Sequence, residues 1–281
     1  MDLDAPWSEQ TLIVFDTETS GGYPVGCDVV EFGAVKWYQG QVVDTLQVLI
    51  KPREPMSDFI ITIHGITNEM VEKAPPMSEV ALQIRNFFRG CVAVAHHAPF
   101  DLGFLAFEFE RNRISLPSEP ALCTSLLARK LISGVENHKL QTLVKHLKIP
   151  GGSAHRALDD SKACLAVALE CFKRAEPRNS IRELISIQGT GLWWRDFSLL
   201  SLVNEKIQVL VEAIQKKKTV EMIYSKGTRR GERRLVKPLG LVRNHSGDYI
   251  MGLCLIENTN KRFYLKAIED VQLVYTSGEG S

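Results

Sequence analysis

Hydrophobic and polar positions change their period several times along the chain. Leu12-Ile13-Val14-Phe15 is a short β-branched and aromatic run that reads as a buried strand. Residues 29–37 and 42–50 follow as longer apolar stretches split by Gln39-Gly40, the pattern of a hairpin continuing from that strand. A helix is expected over residues 78–89 and another short strand over 91–95. Leu102, Leu105, Ala106 and Phe109 then recur at the spacing of one helix face. Further helices are expected over residues 121–132, 138–147 and 157–172. Early strands followed by a strand embedded among helices predict a mixed α/β domain over residues 1–176. Glu176-Pro177-Arg178-Asn179-Ser180 opens a stretch, 177–204, that reads as a partly structured connector, its Trp193-Trp194 pair packing between domains. After a helix near 203–216 the period shortens again. Strands are expected over 219–224, 233–242, 248–256, 262–265 and 271–275, with Gly-bearing turns between them. That is the pattern of a small all-β domain, residues 205–281.

Composition adds little to this division, and charge adds more. With 44% hydrophobic and 24% charged residues the chain reads as a soluble globular protein, and no apolar run approaches the roughly 20 residues a membrane helix needs. Asp2, Asp4 and Glu9 occupy the N-terminus, where a signal peptide would carry a basic segment and then an apolar one. The six cysteines are scattered without C-x-x-C spacing, so a reduced, cytoplasmic setting is expected and a zinc site is not. The net charge of +1 conceals an asymmetry: residues 201–281 hold 14 Lys and Arg against 9 Asp and Glu, a net of +5, leaving −4 for the rest. An acidic front with a basic tail suits a metal site coupled to a polyanion-binding module.

The candidate chemistry is carboxylate chemistry. Asp16-Thr17-Glu18 closes the first strand, where residues i and i+2 share a face, so both acids project together while Thr17 turns away. Adjacent carboxylates repel unless a cation holds them, and hard cations such as Mg²⁺ or Mn²⁺ prefer oxygen ligands. Asp101 opens a helix after the 91–95 strand, a position that helix capping also explains. His155 and Asp160 are five apart, on different faces of one continuous helix. They converge if His155 lies in the loop that Pro150-Gly151-Gly152-Ser153 begins, although a surface histidine before N-terminal acids is the plainer reading. Asp159 reads as a solvated helix residue.

Taken together, Phe15-Asp16-Thr17-Glu18-Thr19, His64-Gly65-Ile66-Thr67, Phe100-Asp101 and His155-x-Ala157-x-x-Asp160 resemble the DEDDh (DnaQ-like) 3′–5′ exonuclease family over residues 10–175. The resemblance implies a ribonuclease-H-like fold and two divalent cations, Mg²⁺ or Mn²⁺, held by Asp16, Glu18, Asp101 and Asp160. It implies His155 as general base, Thr19 and His64 as contacts to the terminal nucleotide, and a nucleoside 5′-monophosphate product. The sequence departs from the family at His97, where Asn is usual, and at Cys123, where Asp is common.

Ile223-Tyr224, Arg233-Arg234-x-Val236-x-Pro238-Leu239-Gly240-Leu241, Asp248-Tyr249-Ile250 and Lys261-Arg262-Phe263-Tyr264-Leu265 resemble a WYL domain. This resemblance implies an SH3- or Sm-like β-barrel that binds nucleic acid or a nucleotide, with Arg229, Arg233, Arg234 and Arg262 as phosphate contacts. Equally, these cations form a solvated basic face. The expected partners are single-stranded or 3′-ended DNA or RNA, DNA favoured, and no membrane. The alternative function is a ligand-sensing regulator that binds nucleic acid and cuts little.

Overall fold

A computed structural model describes residues 1–150, 155–176, 178–200, 204–243 and 247–274. Gly151 to Ala154, the expected loop before His155, therefore lie outside the described residues, as does Tyr275. The chain divides into two compact units, one formed by residues 1–21 and 28–196, the other by 22–27 and 197–281.

The first unit is built on a six-stranded sheet of order β3-β2-β1-β4-β5-β6. Its strands are β1 (Leu12–Thr19), β2 (Val29–Tyr38), β3 (Gln41–Leu49), β4 (Val92–Ala95), β5 (Pro120–Cys123) and β6 (Leu192–Trp193). β1 pairs antiparallel with β2, as β2 does with β3, whereas β1, β4 and β5 run parallel. This is the ribonuclease-H-like α/β arrangement. The side-chain period of two separates its faces. Leu12 and Val14 join a core with Val35, Val92, Leu122 and the helices α5 (Thr124–Leu131), α6 (Leu140–His146), α7 (Ala157–Ala175) and α8 (Ile181–Gln188). Phe15 faces the other way, against Phe88, which follows α3 (Met77–Phe87), and Phe88 in turn meets Phe109 of α4 (Pro99–Arg111). Two short helices, α1 (Asp58–His64) and α2 (Asn68–Glu72), fill the loop after β3.

Two sequence expectations change here. Residues 121–132 are not one helix, because Pro120–Cys123 form β5 and the helix begins at Thr124. The stretch expected as a connector instead contributes α8 and β6 to this unit, with β6 pairing antiparallel to β5. Trp194 explains why. It is 1% exposed and packs among Phe15, Phe88 and Phe109, so burial of its large ring ties residues up to 196 to the six-stranded sheet.

The second unit carries α9 (Glu205–Gln215) and a five-stranded sheet of order β10-β9-β8-β7-β11. Its strands are β7 (Val220–Tyr224), β8 (Arg233–Val242), β9 (Tyr249–Cys254), β10 (Thr259–Tyr264) and β11 (Ile268–Leu273). β10 and β11 lie at opposite edges, and among the described residues no pairing joins them, so the expected closed barrel is not formed. β8 is shared unequally: β7 pairs with it up to Val236, while β9 continues to Val242. The side that β7 leaves is taken by Val25, whose backbone exchanges hydrogen bonds of 3.4 and 3.2 Å with Leu241. Val25 is fully buried, and Tyr23 packs so close to Gly240 that a Cβ there would meet it at 2.2 Å.

Candidate functional site

The alternation along β1 places each acid. Asp16 and Glu18 lie on the face of Leu12 and Val14, toward α7, whereas Thr17 lies on the face of Phe15, toward α4. Asp101 stands in the first turn of α4 and is 3% exposed. Its Oδ1 accepts from the Thr17 backbone N–H at 3.0 Å and from the Thr17 hydroxyl at 2.7 Å. Thr17 thus does more than turn away from the paired acids. It grips a third.

Asp160 stands in the first turn of α7. Its Oδ2 accepts from the His155 backbone N–H at 2.9 Å, and its Oδ1 from Gln141 Nε2 at 3.0 Å. His155 precedes the helix at φ 63°, a backbone state that non-glycine residues rarely adopt. The bend lets Glu18, His155 and Asp160 each offer an atom within 4.8 Å of the others.

Glu31 organises this corner, and sequence reasoning missed it. It sits opposite Glu18 on β2 and is fully buried. The Arg156 guanidinium donates to both its oxygens, at 2.7 and 3.2 Å, and the Ala157 N–H at 2.9 Å. Gln47 Nε2 adds a fourth bond at 2.9 Å. Burial alone would raise its pKa; these partners hold it below the ordinary carboxylate value. Glu31 therefore stays charged and clamps the start of α7 against β2. Gly33 permits the fit, since a Cβ there would lie 2.2 Å from the Leu158 nitrogen. The signal was present as an acid inside an otherwise apolar strand, Val29-Val30-Glu31-Phe32.

The other four acids lack such compensation. Burial raises Asp16 well above its ordinary value, and Asp101, Glu18, Asp160 and Glu31 raise it further. Burial lifts Glu18 to about 8, reinforced by Asp160, Glu31 and Asp101. Asp101 is raised by burial to about 7 despite the opposing Thr17 hydrogen bonds. Asp160 is raised too, again by burial first. A crowded, half-buried set of carboxylates fits divalent cations, whose charge would reverse these shifts.

His64 is 5% exposed; its Nδ1 accepts from the Ile66 N–H at 3.0 Å, leaving the proton on a buried Nε2 without a well-formed partner. Burial lowers its pKa, with His155 adding to the effect and Glu31 and the Thr19 backbone opposing it. Thr19 is 9% exposed and donates to the Gly21 carbonyl at 2.7 Å. His96 takes a supporting position, bonded to Thr124 Oγ1 at 2.8 Å and to the His138 carbonyl at 3.0 Å.

The four cations expected as phosphate contacts in the second unit are not gathered alike. Arg229 pairs with Glu232 at 3.3 Å and Arg233 with Glu221 at 2.8 Å. Arg234 is 5% exposed, donates to the Arg229 carbonyl and lies under the Tyr224 ring, so it supports the sheet from within. Arg262 lies 4.2 Å from the Tyr249 ring centre on an exposed part of β10. The six cysteines are free thiols, and among the described residues no helix is long and apolar enough to cross a membrane.

Against known proteins, the exonuclease family profile matches residues 13–168 and the WYL domain profile residues 205–273. The PolC-type DNA polymerase III of Oceanobacillus iheyensis is 38% identical over 155 residues, 55% of this chain and 11% of that protein. The chain thus spans about a tenth of the length of this curated relative. Exonuclease X, solved with 5′-overhanging duplex DNA, is 28% identical, covering 63% of this chain and 99% of its own at a TM-score of 0.50. Exonuclease I of E. coli, solved with single-stranded DNA, shares the fold at 19% identity and a TM-score of 0.56, over 87% of this chain and 55% of its own.

Proposed function

The chain belongs to the exonuclease family, with a WYL domain behind the nuclease domain, and from this we propose that it is a metal-dependent 3′–5′ exonuclease. The observation that supports it most is the crowded cluster of Asp16, Glu18, Asp101 and Asp160, each raised by burial, beside the bent His155. Two Mg²⁺ or Mn²⁺ ions held by these four carboxylates would polarise the terminal phosphodiester and make water a better nucleophile. His155, exposed and two residues ahead of α7, takes the proton of the attacking water and returns it to solvent. The water oxygen bonds to phosphorus as the bond to the 3′ oxygen of the preceding nucleotide breaks. A nucleoside 5′-monophosphate leaves, and the 3′ oxygen takes a proton from solvent, so the strand keeps a 3′ hydroxyl. Neutral His64 and Thr19 contact the terminal nucleotide. DNA is favoured over RNA because the PolC-type relative is a DNA polymerase and exonuclease X was solved with duplex DNA. In the second unit Arg262 over Tyr249 offers a stacking face for a base or nucleotide. Arg229, Arg233 and Arg234 contribute positive charge to the same unit at other places, where Glu232, Glu221 and the Arg229 carbonyl hold them.

A 5′-labelled oligonucleotide incubated with Mn²⁺ or Mg²⁺, as DNA and as RNA, tests this directly. A ladder shortening from the 3′ end is expected, abolished by EDTA and by Asp16→Ala, with His155→Ala slower by roughly 10²–10⁴-fold. Binding without any metal-dependent shortening on either substrate would favour a ligand-sensing regulator.

A further inference from the structure

A concavity in the first unit, of about 310 Å³, is lined by His97, Ser125, Arg129, Asn137, His138 and Lys139, with His96 behind them. Its chemistry is one-sided. Arg129 and Lys139 are exposed, and among the described residues no carboxylate lines the cleft or pairs with either cation. Asn137 Oδ1 accepts from the Lys139 N–H at 3.0 Å and from Thr142 Oγ1 at 2.8 Å. The amide is thereby oriented, and its Nδ2 remains as a donor. His96 is already satisfied, because the His138 carbonyl fixes a proton on Nε2 and Nδ1 accepts from Thr124. It is a neutral brace for the wall, and burial pushes its pKa down to about 4. Besides the rings of His97 and His138, whose Nε2 faces the Ile132 carbonyl at 3.2 Å, the groups left for a ligand are an amide donor, the Ser125 hydroxyl and two cations. That set takes an anion.

The segments that line the cleft run on in sequence to residues of the metal-ligand cluster. The His96-His97 turn leads within five residues to Asp101, and Gln141, which holds Asp160, follows the cleft residues Lys139 and Leu140. An exonuclease that removes 3′-terminal nucleotides has only one nucleotide beyond the bond it breaks. Any other backbone phosphate of that strand must lie on the 5′ side. We propose that this cleft is an anion subsite that holds a phosphodiester of the substrate strand upstream of the scissile linkage. The inference rests on the exonuclease reading and specifies how that site takes a strand rather than a single nucleotide.

The test compares two substrates on the full chain. One is a ten-nucleotide single-stranded DNA; the other is the p-nitrophenyl ester of thymidine 5′-monophosphate, whose single phosphodiester occupies only the metal site. For Arg129→Ala/Lys139→Ala the KM for the oligonucleotide rises about tenfold, and the slope of log kcat/KM against log salt becomes shallower by about 0.7. Its kcat stays within about twofold, and the ester kinetics do not change. The charge-retaining Arg129→Lys/Lys139→Arg variant recovers most of the KM. Equal losses on both substrates, or an unaltered oligonucleotide KM, would overturn the subsite and leave the nuclease standing. A wild-type chain that cleaves neither substrate overturns both.

Discussion

At the residue scale, Glu18 near 8 and Asp101 near 7 sit where neither holds a full charge at neutral pH without a cation beside it. Their ordinary values are 4.5 and 3.8, so the metal-free fold binds these protons more tightly than the unfolded chain does. Their contribution to stability is complete below those ordinary values and is lost as pH rises through about 7 to 8. In EDTA the melting temperature is expected to fall by several degrees between pH 5 and pH 8, and Glu18→Gln to flatten the fall. Mn²⁺ at about 100 times its dissociation constant restores about 2.7 kcal/mol, most visibly at pH 8. Thermal melts across that range, with and without metal, check both signs. A metal-free melt that climbs toward pH 8 in wild type but not in Glu18→Gln would reverse the assignment. Asp16, Glu18, Asp101, His155 and Asp160 were all legible as residues because each carries a motif. Thr17 was not, and Glu31 showed only as an acid inside an apolar strand, with no sign of its partners. What they hold lies 84 and 125 residues away in sequence, and no local pattern encodes that.

Among the elements, the seam between β2 and α7 sets the site, since α7 begins two residues after His155 and carries Asp160. Gly33 lets the helix approach: a Cβ there would lie 2.2 to 2.6 Å from backbone atoms of Ala157 and Leu158, which cannot swing aside as a side chain can. Gly33→Ala is expected to cost about 1–3 kcal/mol. Its nuclease rate per folded molecule falls as well, because the helix start must retreat with its ligand. Urea unfolding and a nuclease assay on the same preparation separate the two effects, and a full rate with reduced stability would mean the seam only packs. The sequence anticipated β1 to β4, α3, α4 and α7 within a few residues, from β-branched apolar runs and helical spacing. It failed where a neighbouring strand decides the type. Pro120–Cys123 reads as helix until β4 supplies a partner, and Leu192–Trp193 is a strand only because β5 lies beside it.

On the scale of the molecule, the boundary between units is not where composition drew it. The second unit includes residues 22–27, which interrupt the first between Gly21 and Asp28. Ser20 and Asp28 close the base of that excursion, the Asp28 N–H donating to Ser20 Oγ and the Ser20 N–H to the Asp28 carbonyl, both at 2.8 Å. Val25 beyond them fills the flank of β8 that β7 leaves open. A fragment of residues 197–281 therefore lacks a buried valine and a strand pairing that its own sequence does not supply. Fusing residues 22–27 to it through a flexible linker is expected to add about 1–3 kcal/mol to its unfolding free energy, read by urea denaturation. No gain would mean that the excursion rests on the sheet without supporting it. The peptide backbone crosses between the units three times, at 21/22, 27/28 and 196/197. A protease that cuts only after Asp196 thus opens the chain without freeing its C-terminal part: two bands on a denaturing gel, but one species in a native column, held by a grip on Val25.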